Sequence, residues 1–221
     1  MSKIHREHRA QGRAHTVSGG YDKRVQENVT YHRDLVTLAE SLGLKHTTAT
    51  SEDEVLATPS SIEVLFILSV PSPLKARLLS TSSLLLYTPS HEHFGIVPLE
   101  AMLARTPVLA ANNGGPTETV VEGQTGWLRS PEHVAGWTQV MQMVLSGMKD
   151  IELAAMGEKG RKRVVDNFSK SKMAERLILA MEQAQGVKEE KRPGILPFEG
   201  VLVWNVLGLA LGGLVALIWM R

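Results

Sequence analysis

At 221 residues the chain has room for one ordinary domain, or one and a half small ones. Its 24 Lys and Arg against 23 Asp and Glu leave a formal net charge of +1, a balance that gives no field for nucleic acid and argues against such a partner. With no cysteine, disulfides and cysteine-ligated zinc are excluded, and a reducing compartment such as the cytosol suits the composition.

The N-terminus, MSKIHREHRAQGRAH, has basic residues and histidines but lacks the apolar core of a signal peptide. From Tyr21 to Leu42, Val25, Val29, Leu35, Val36, Ala39 and Leu42 recur near one face of a 3.6-residue period. Gly43 follows, so this stretch is expected to be an amphipathic helix with a glycine C-cap. Val64 to Val70 is a continuous apolar run bounded by Pro71 and Pro73, which suits a strand covered on both faces. A short helix, Leu74 to Ser80, leads to a second apolar run, Leu84 to Tyr87. Leu99 to Leu103 belongs to the next helix and Pro107 to Ala110 to a strand. Asn112-Asn113-Gly114-Gly115-Pro116 makes the turn beyond it, and Pro116 takes the first position of a helix, where its missing N–H is harmless. Gly126-Trp127-Leu128 reads as a short edge strand. Residues 131–186 are mostly helical, with Met141, Val144 and Leu145 as core packing. The sequons at Asn28 and Asn167 fall in helix-patterned sequence and read as chance matches.

A charged linker (residues 187–199) containing KEEKRPG precedes Gly200 to Met220, an uncharged run of 21 residues. As a helix this run would cross the ~30 Å hydrocarbon core of a bilayer. Trp204 and Trp219 stand near its ends, and Gly208, Gly212 and Gly213 would admit a second helix closely. Asn205 and the glycines keep a hairpin or in-plane anchor open as the alternative.

Strands buried on both faces and separated by helices imply an α/β fold with a doubly wound parallel sheet. In such sheets a ligand lies beyond the C-terminal ends of the strands. SHEHFGIVPLEAM, Ser90 to Met102, occupies one of those loops and the helix after it. Glu92 belongs to the loop, Gly95 opens the helix, and Glu100 sits about one and a half turns inside. The first N–H groups, from Gly95, Ile96 and Val97, suit a phosphate or a sugar hydroxyl, and a carboxylate on either side can accept from vicinal hydroxyls. This arrangement describes a nucleotide-sugar site. His91 and His93 flank Glu92, but no further ligand with helical spacing joins them, so no metal is expected. Glu118 either caps its own helix or belongs to the site.

E-H-F-G-I-V-P-L-E, Glu92 to Glu100, resembles the E-x7-E motif of retaining glycosyltransferases with the GT-B fold, the large group 4 that uses GDP- or UDP-sugars. Gly19 to Leu35, Leu84 to Met102 and Asn112 to Leu128 are similar to the mannosyltransferases of lipid-linked oligosaccharide assembly within it. The resemblance covers roughly residues 19–167 and implies that residues 19–186 form the donor-binding, C-terminal Rossmann-like half. It implies Glu92 as the catalytic carboxylate against the donor sugar, supporting oxocarbenium charge. His93, Phe94, Gly95, Ile96 and Val97 would bind the donor, Glu100 would hold the ribose of GDP, and Asn113, Gly114 and Gly115 would line the mouth of the cleft. GDP-mannose is the implied donor and a dolichol-diphosphate oligosaccharide the implied acceptor, with no cofactor. The implied place is the cytosolic side of the endoplasmic reticulum membrane, beside other glycosyltransferases of the pathway. Against that family pattern, HRAQGRAHTVSGGYD stands where an apolar strand is expected, so residues 1–18 read as atypical and non-native. The basic pair that neutralises the donor diphosphate has no counterpart, and a truncated form with little activity alone is expected. The alternatives are another group 4 enzyme with a different sugar or acceptor, and a non-catalytic membrane-tethered partner of a glycosyltransferase.

Overall fold

The computed structural model describes residues 15–186. The charged linker and the apolar run at 200–220 lie outside the described residues. Among those described, no helix is long and apolar enough to cross a membrane.

Two three-stranded parallel sheets form the framework. The first has the order β1-β3-β2, built from β1 (His15–Gly19), β2 (His46–Ala49) and β3 (Val64–Leu68). The middle strand, β3, is the VLFIL run, with Val64 in register with both His15 and His46. Its alternate side chains point to opposite faces, and each face finds a helix. Val64 and Phe66 pack with Ala39, Leu35 and Val36 of α1 (Gln26–Ser41). Leu65 and Ile67 pack with Val55 of α2 (Glu52–Leu56) and Leu78 of α3 (Ser72–Thr81). Double coverage explains why no polar residue interrupts this run.

The second sheet has the order β4-β5-β6, from β4 (Leu85–Tyr87), β5 (Val108–Ala111) and β6 (Gly126–Arg129). β5 repeats the logic of β3. Val108 and Ala110 join Leu99, Ala101 and Met102 of α4 (Ile96–Leu103) and Val164 of α7 (Asp150–Phe168). Leu109 and Ala111 face the other way, toward Trp127, Met156 and the Trp137 and Val140 stripe of α6 (Val134–Gln142). All four residues of β5 are fully buried, each large apolar side chain contributing on the order of 2 kcal/mol. α5 (Pro116–Thr119) begins at Pro116, and α6 runs into a π-helical turn at Met143–Gly147 that carries Val144. Met141, Val144 and Leu145 belong to this core as expected.

Helix α3 ties the two sheets together. Leu78 packs in the core of the first sheet and the adjacent Leu79 in that of the second, while the buried Thr106 hydroxyl donates to the Leu79 carbonyl. The first compact unit ends at Met173, within α8 (Lys170–Gly186). From Ala174 onward it is a helix with Leu177, Ile178, Leu179 and Met181 exposed.

Three expectations are corrected. One continuous sheet was expected, but two hydrogen-bonded sheets form, with β1 and β4 each paired on one side only among the described residues. The strand thought to be missing ahead of Gly19 is present: HTVSG forms β1 from His15, inside the stretch read as atypical through residue 18. Its five residues are all exposed, Val17 included, which is why an apolar run is not needed there. The third correction is an addition, since β2 and α2 are short elements that the hydrophobic pattern does not announce. The first expected helix is confirmed but begins five residues later, at Gln26.

Candidate functional site

The C-terminal ends of β4 and β5 lie at the same end of their parallel sheet, so the loops that follow them meet. After Tyr87 the chain runs through Ser90 to Phe94 into α4. Gly95 is the N-cap of that helix with φ 73°, a left-handed conformation that a side chain would strain. Pro98 sits in the first turn, where its lack of an N–H costs nothing. No side chain caps α4, so the N–H groups of Ile96 and Val97 have no intrahelical partner and face outward with the positive end of the helix dipole.

Glu92 folds back toward this helix entrance. Its Oε2 accepts from the Tyr87 hydroxyl at 3.1 Å, and its Oε1 accepts a long hydrogen bond from Phe94 N–H at 3.5 Å. The Tyr87 hydroxyl, followed by the backbone N–H groups of Phe94, Gly95 and His93, holds the Glu92 carboxyl below its ordinary 4.5. Glu92 is therefore ionised at neutral pH. Tyr87 responds in the opposite sense: burial, then its hydrogen bond to Glu92 and the charge of that group, push its phenol from 10.0 up to about 12. Two windows follow from these signs. A depressed carboxyl contributes stability above its unfolded value of 4.5 and loses it as pH falls through the lower folded value. A raised phenol contributes stability that is complete below pH 10.0 and lost as pH rises toward about 12. Tyr87→Phe is expected to remove the alkaline slope and to reduce the acid one, which the backbone N–H groups of Phe94, Gly95 and His93 still sustain in part. Urea midpoints measured against pH for the variant and the parent check this, and identical alkaline slopes would contradict it.

A second loop holds the first in place. Gly115 N–H donates to the Glu92 carbonyl at 2.8 Å. A Cβ on Gly114 would overlap that same carbonyl, and a Cβ on Gly115 would overlap the backbone of Phe94. The space beside both glycines is filled by the Glu92 loop. Their observed work is to let two backbones touch and so fix Glu92. Asn113, just before them, buries its Oδ1 with no hydrogen-bond partner.

Glu100 lies on α4 with Oε2 buried and unpartnered and Oε1 accepting from Lys75 Nζ at 2.7 Å. Two acceptors without donors, Oε2 of Glu100 and Oδ1 of Asn113, thus lie on segments that follow adjacent strands. Such atoms cost free energy unless a donor reaches them, which ligand hydroxyl or amide groups would do. Phe94 and Ile96 are exposed, as is His93, and Val97 is partly buried. The Phe94 ring meets Phe168 edge-on at 6.3 Å, and Phe168 in turn carries the Arg163 guanidinium 5.6 Å from its centroid. Arg163 also donates to the Glu118 and Thr119 carbonyls at 2.7 and 2.8 Å, bracing α5 behind the glycine loop. Helix α5 has no side-chain cap, so Glu118 is not one. Among the described residues no three His, Asp or Glu side chains group to hold a metal ion.

Sequence reading missed Tyr87, Lys75 and Arg163. For Lys75 a signal existed, because it lies in the first turns of the helix after β3, at the same kind of strand end that identified Glu92. Tyr87 is the last residue of β4 and was absorbed into an apolar run. Nothing local marks Arg163, whose partners are 44 and 45 residues away.

The pattern of the family described as Glycosyl transferases group 1 matches residues 38–163, more than half of the chain and all of this site. The chain belongs to this family. This group 1 glycosyltransferase chain is 54% identical over 195 residues to the α-1,3/1,6-mannosyltransferase alg-2 of Neurospora crassa, covering 87% of the chain and 41% of that protein. It is 44% identical over 177 residues to the α-1,3/1,6-mannosyltransferase alg2 of Schizosaccharomyces pombe, covering 80% and 35%. The chain therefore spans less than half the length of these relatives. Its fold is similar to that of sucrose-phosphate synthase from Thermosynechococcus elongatus, with a TM-score of 0.61 at 23% identity over 77% of this chain and 38% of that one. It is also similar to the C-terminal domain of the group 1 glycosyltransferase LpcC from Francisella tularensis, with a TM-score of 0.55 at 12% identity over 77% and 95%. The expected α/β class with parallel sheets, as in the C-terminal half of a GT-B enzyme, is the fold observed.

Proposed function

We propose that this chain is the donor-binding half of a retaining mannosyltransferase that takes mannose from GDP-mannose. The acceptor is the mannosylated chitobiose core of dolichol diphosphate, extended through α-1,3 and α-1,6 linkages on the cytosolic face of the endoplasmic reticulum. The observation that carries the reading is the pair of carboxylates about the entrance of α4. Glu92 is ionised and fixed there, while Glu100 has a buried oxygen awaiting a donor. The names of the Neurospora and Schizosaccharomyces relatives supply mannose and the two linkages.

In this reading the α4 N–H groups of Ile96 and Val97 meet the diphosphate and Glu100 accepts from the ribose. Glu92 lies against the mannose. As the bond from the anomeric carbon to the phosphate oxygen lengthens, positive charge develops on the sugar ring and the Glu92 carboxylate offsets it. The acceptor hydroxyl then bonds to the anomeric carbon on the face that GDP leaves, and its proton goes to the departing phosphate. Asn113 to Gly115 keep Glu92 in position and close the mouth of the cleft.

Calorimetric titration of the chain with GDP-mannose, GDP and UDP-glucose tests the donor, and transfer of labelled mannose to a dolichol-diphosphate-linked, mannosylated chitobiose acceptor, with the acceptor-binding half supplied, tests the reaction. The expected order has both guanosine ligands well ahead of UDP-glucose. Preference for UDP-glucose would move the chain to another sugar.

A further inference from the structure

Glu100 and Lys75 lie on helices that follow strands of different sheets, and in their contact two charged side chains from the two halves of the fold meet. Lys75 follows β3, in the helix that ties both cores together; Glu100 follows β4. Lys75 Nζ donates to Oε1 at 2.7 Å, with 34% and 33% of the two side chains exposed. An ammonium has three N–H donors, and among the described residues Lys75 has no second partner. Glu100 has the complementary imbalance, one oxygen satisfied and the other, Oε2, buried without a donor. The pair as a whole is therefore short of one donor at Oε2 and has donors to spare at Nζ.

A vicinal diol corrects both deficits at once. One hydroxyl donates to Oε2, and the oxygen of its neighbour accepts from Nζ. A lone carboxylate would treat two hydroxyls alike, each as a donor. With Lys75 Nζ on Oε1, the second hydroxyl instead finds a donor beside the carboxylate. We propose that Lys75 is a positioning and specificity residue of the donor site: it fixes the Glu100 carboxylate and donates to the ribose 2′-hydroxyl, leaving the 3′-hydroxyl to donate to Oε2. This rests on the reading of Glu100 as the ribose acceptor given above.

The test is calorimetric binding of GDP and 2′-deoxy-GDP to the full 221-residue chain and to its Lys75→Met and Lys75→Arg variants, with melting curves as a check on folding. The parent chain should bind GDP about tenfold more tightly than the deoxy analogue, the size expected for one hydrogen bond to a charged group. Lys75→Met should bind the two ligands nearly equally, and Lys75→Arg should restore part of the preference. If Lys75→Met weakens both ligands equally, the lysine is only a general cation and the proposal fails. If Lys75→Met binds GDP more tightly, Lys75 is a competitor for Glu100 and the proposal fails in the opposite sense. Should Lys75→Met not fold, Lys75→Gln and the arginine variant carry the same comparison. A parent chain that does not distinguish the two ligands overturns the ribose reading of Glu100 itself, an outcome separate from any effect of Lys75.

Discussion

Replacing Gly115 by alanine is expected to lower the melting temperature by about 6–12 °C and to abolish GDP binding. The new Cβ would overlap the Phe94 carbonyl, its carbon and its Cα, all of them backbone atoms that cannot swing aside as a side chain would. Overpacking of this kind costs about 3 kcal/mol, and for a chain of this size each kcal/mol lowers the midpoint by about 2–4 °C. The chain must separate the two loops to accept the methyl. Doing so breaks the hydrogen bond from Gly115 N–H to the Glu92 carbonyl, which is 2.8 Å long, and displaces the Phe94 backbone that leads into the α4 N–H groups assigned to the diphosphate. Gly20→Ala is the control, because nothing lies within 4 Å of a Cβ at that position. Its midpoint should shift by less than about 2 °C, as for an ordinary exposed substitution. A Gly115→Ala variant with an unchanged midpoint and normal GDP affinity would show that the loops do not depend on each other.

On the proposed reading, and with the acceptor-binding half supplied, Glu92→Gln is expected to reduce mannose transfer by about 100-fold, the size typical of removing one preorganised electrostatic contact from a transition state. GDP affinity should change by less than about twofold, since the substitution keeps the shape of the side chain and Glu92 is assigned to the sugar rather than the nucleotide. The variant also loses the Glu92 share of the parent's acid-side stability dependence, because the amide does not titrate where the depressed carboxyl does. Initial rates at saturating donor, together with GDP titrations, separate these effects. A large loss of GDP affinity with an unchanged rate would move Glu92 out of the chemistry and into nucleotide binding.

Legibility in the sequence followed burial. β3 and β5 are covered on both faces, so VLFIL and VLAA show as apolar runs. β1 and β2 lie at the edges of their sheet, and HTVSG and HTTA keep polar residues there; no hydrophobic period marks them. The α2 start was available through Ser51 and Glu54, since the Ser51 hydroxyl accepts from Glu54 N–H and the Glu54 carboxylate reaches back to Thr50. In the site, the local part was readable because Glu92, Gly95 and Glu100 share one strand-loop-helix segment. Its non-local part was not. Neither the pairing of Lys75 with Glu100, 25 residues apart, nor the approach of Gly114 and Gly115 to the Glu92 loop follows from spacing. The glycines were expected at the mouth of a cleft; the structure shows them as the support beneath Glu92.

Helix α3 carries a thermodynamic consequence. Each sheet has its own pair of half-cores, and the shared element is one helix that gives Leu78 to the first and Leu79 to the second. Structures divided in this way open in cooperative blocks whose protection differs, and a block can exchange its amide hydrogens while the other stays closed. The β3 amides and the β5 amides therefore report two free energies rather than one. A ligand that engages Lys75 and Glu100 together bridges the blocks and brings those two values closer, so donor binding would be read as greater folding cooperativity as well as greater stability.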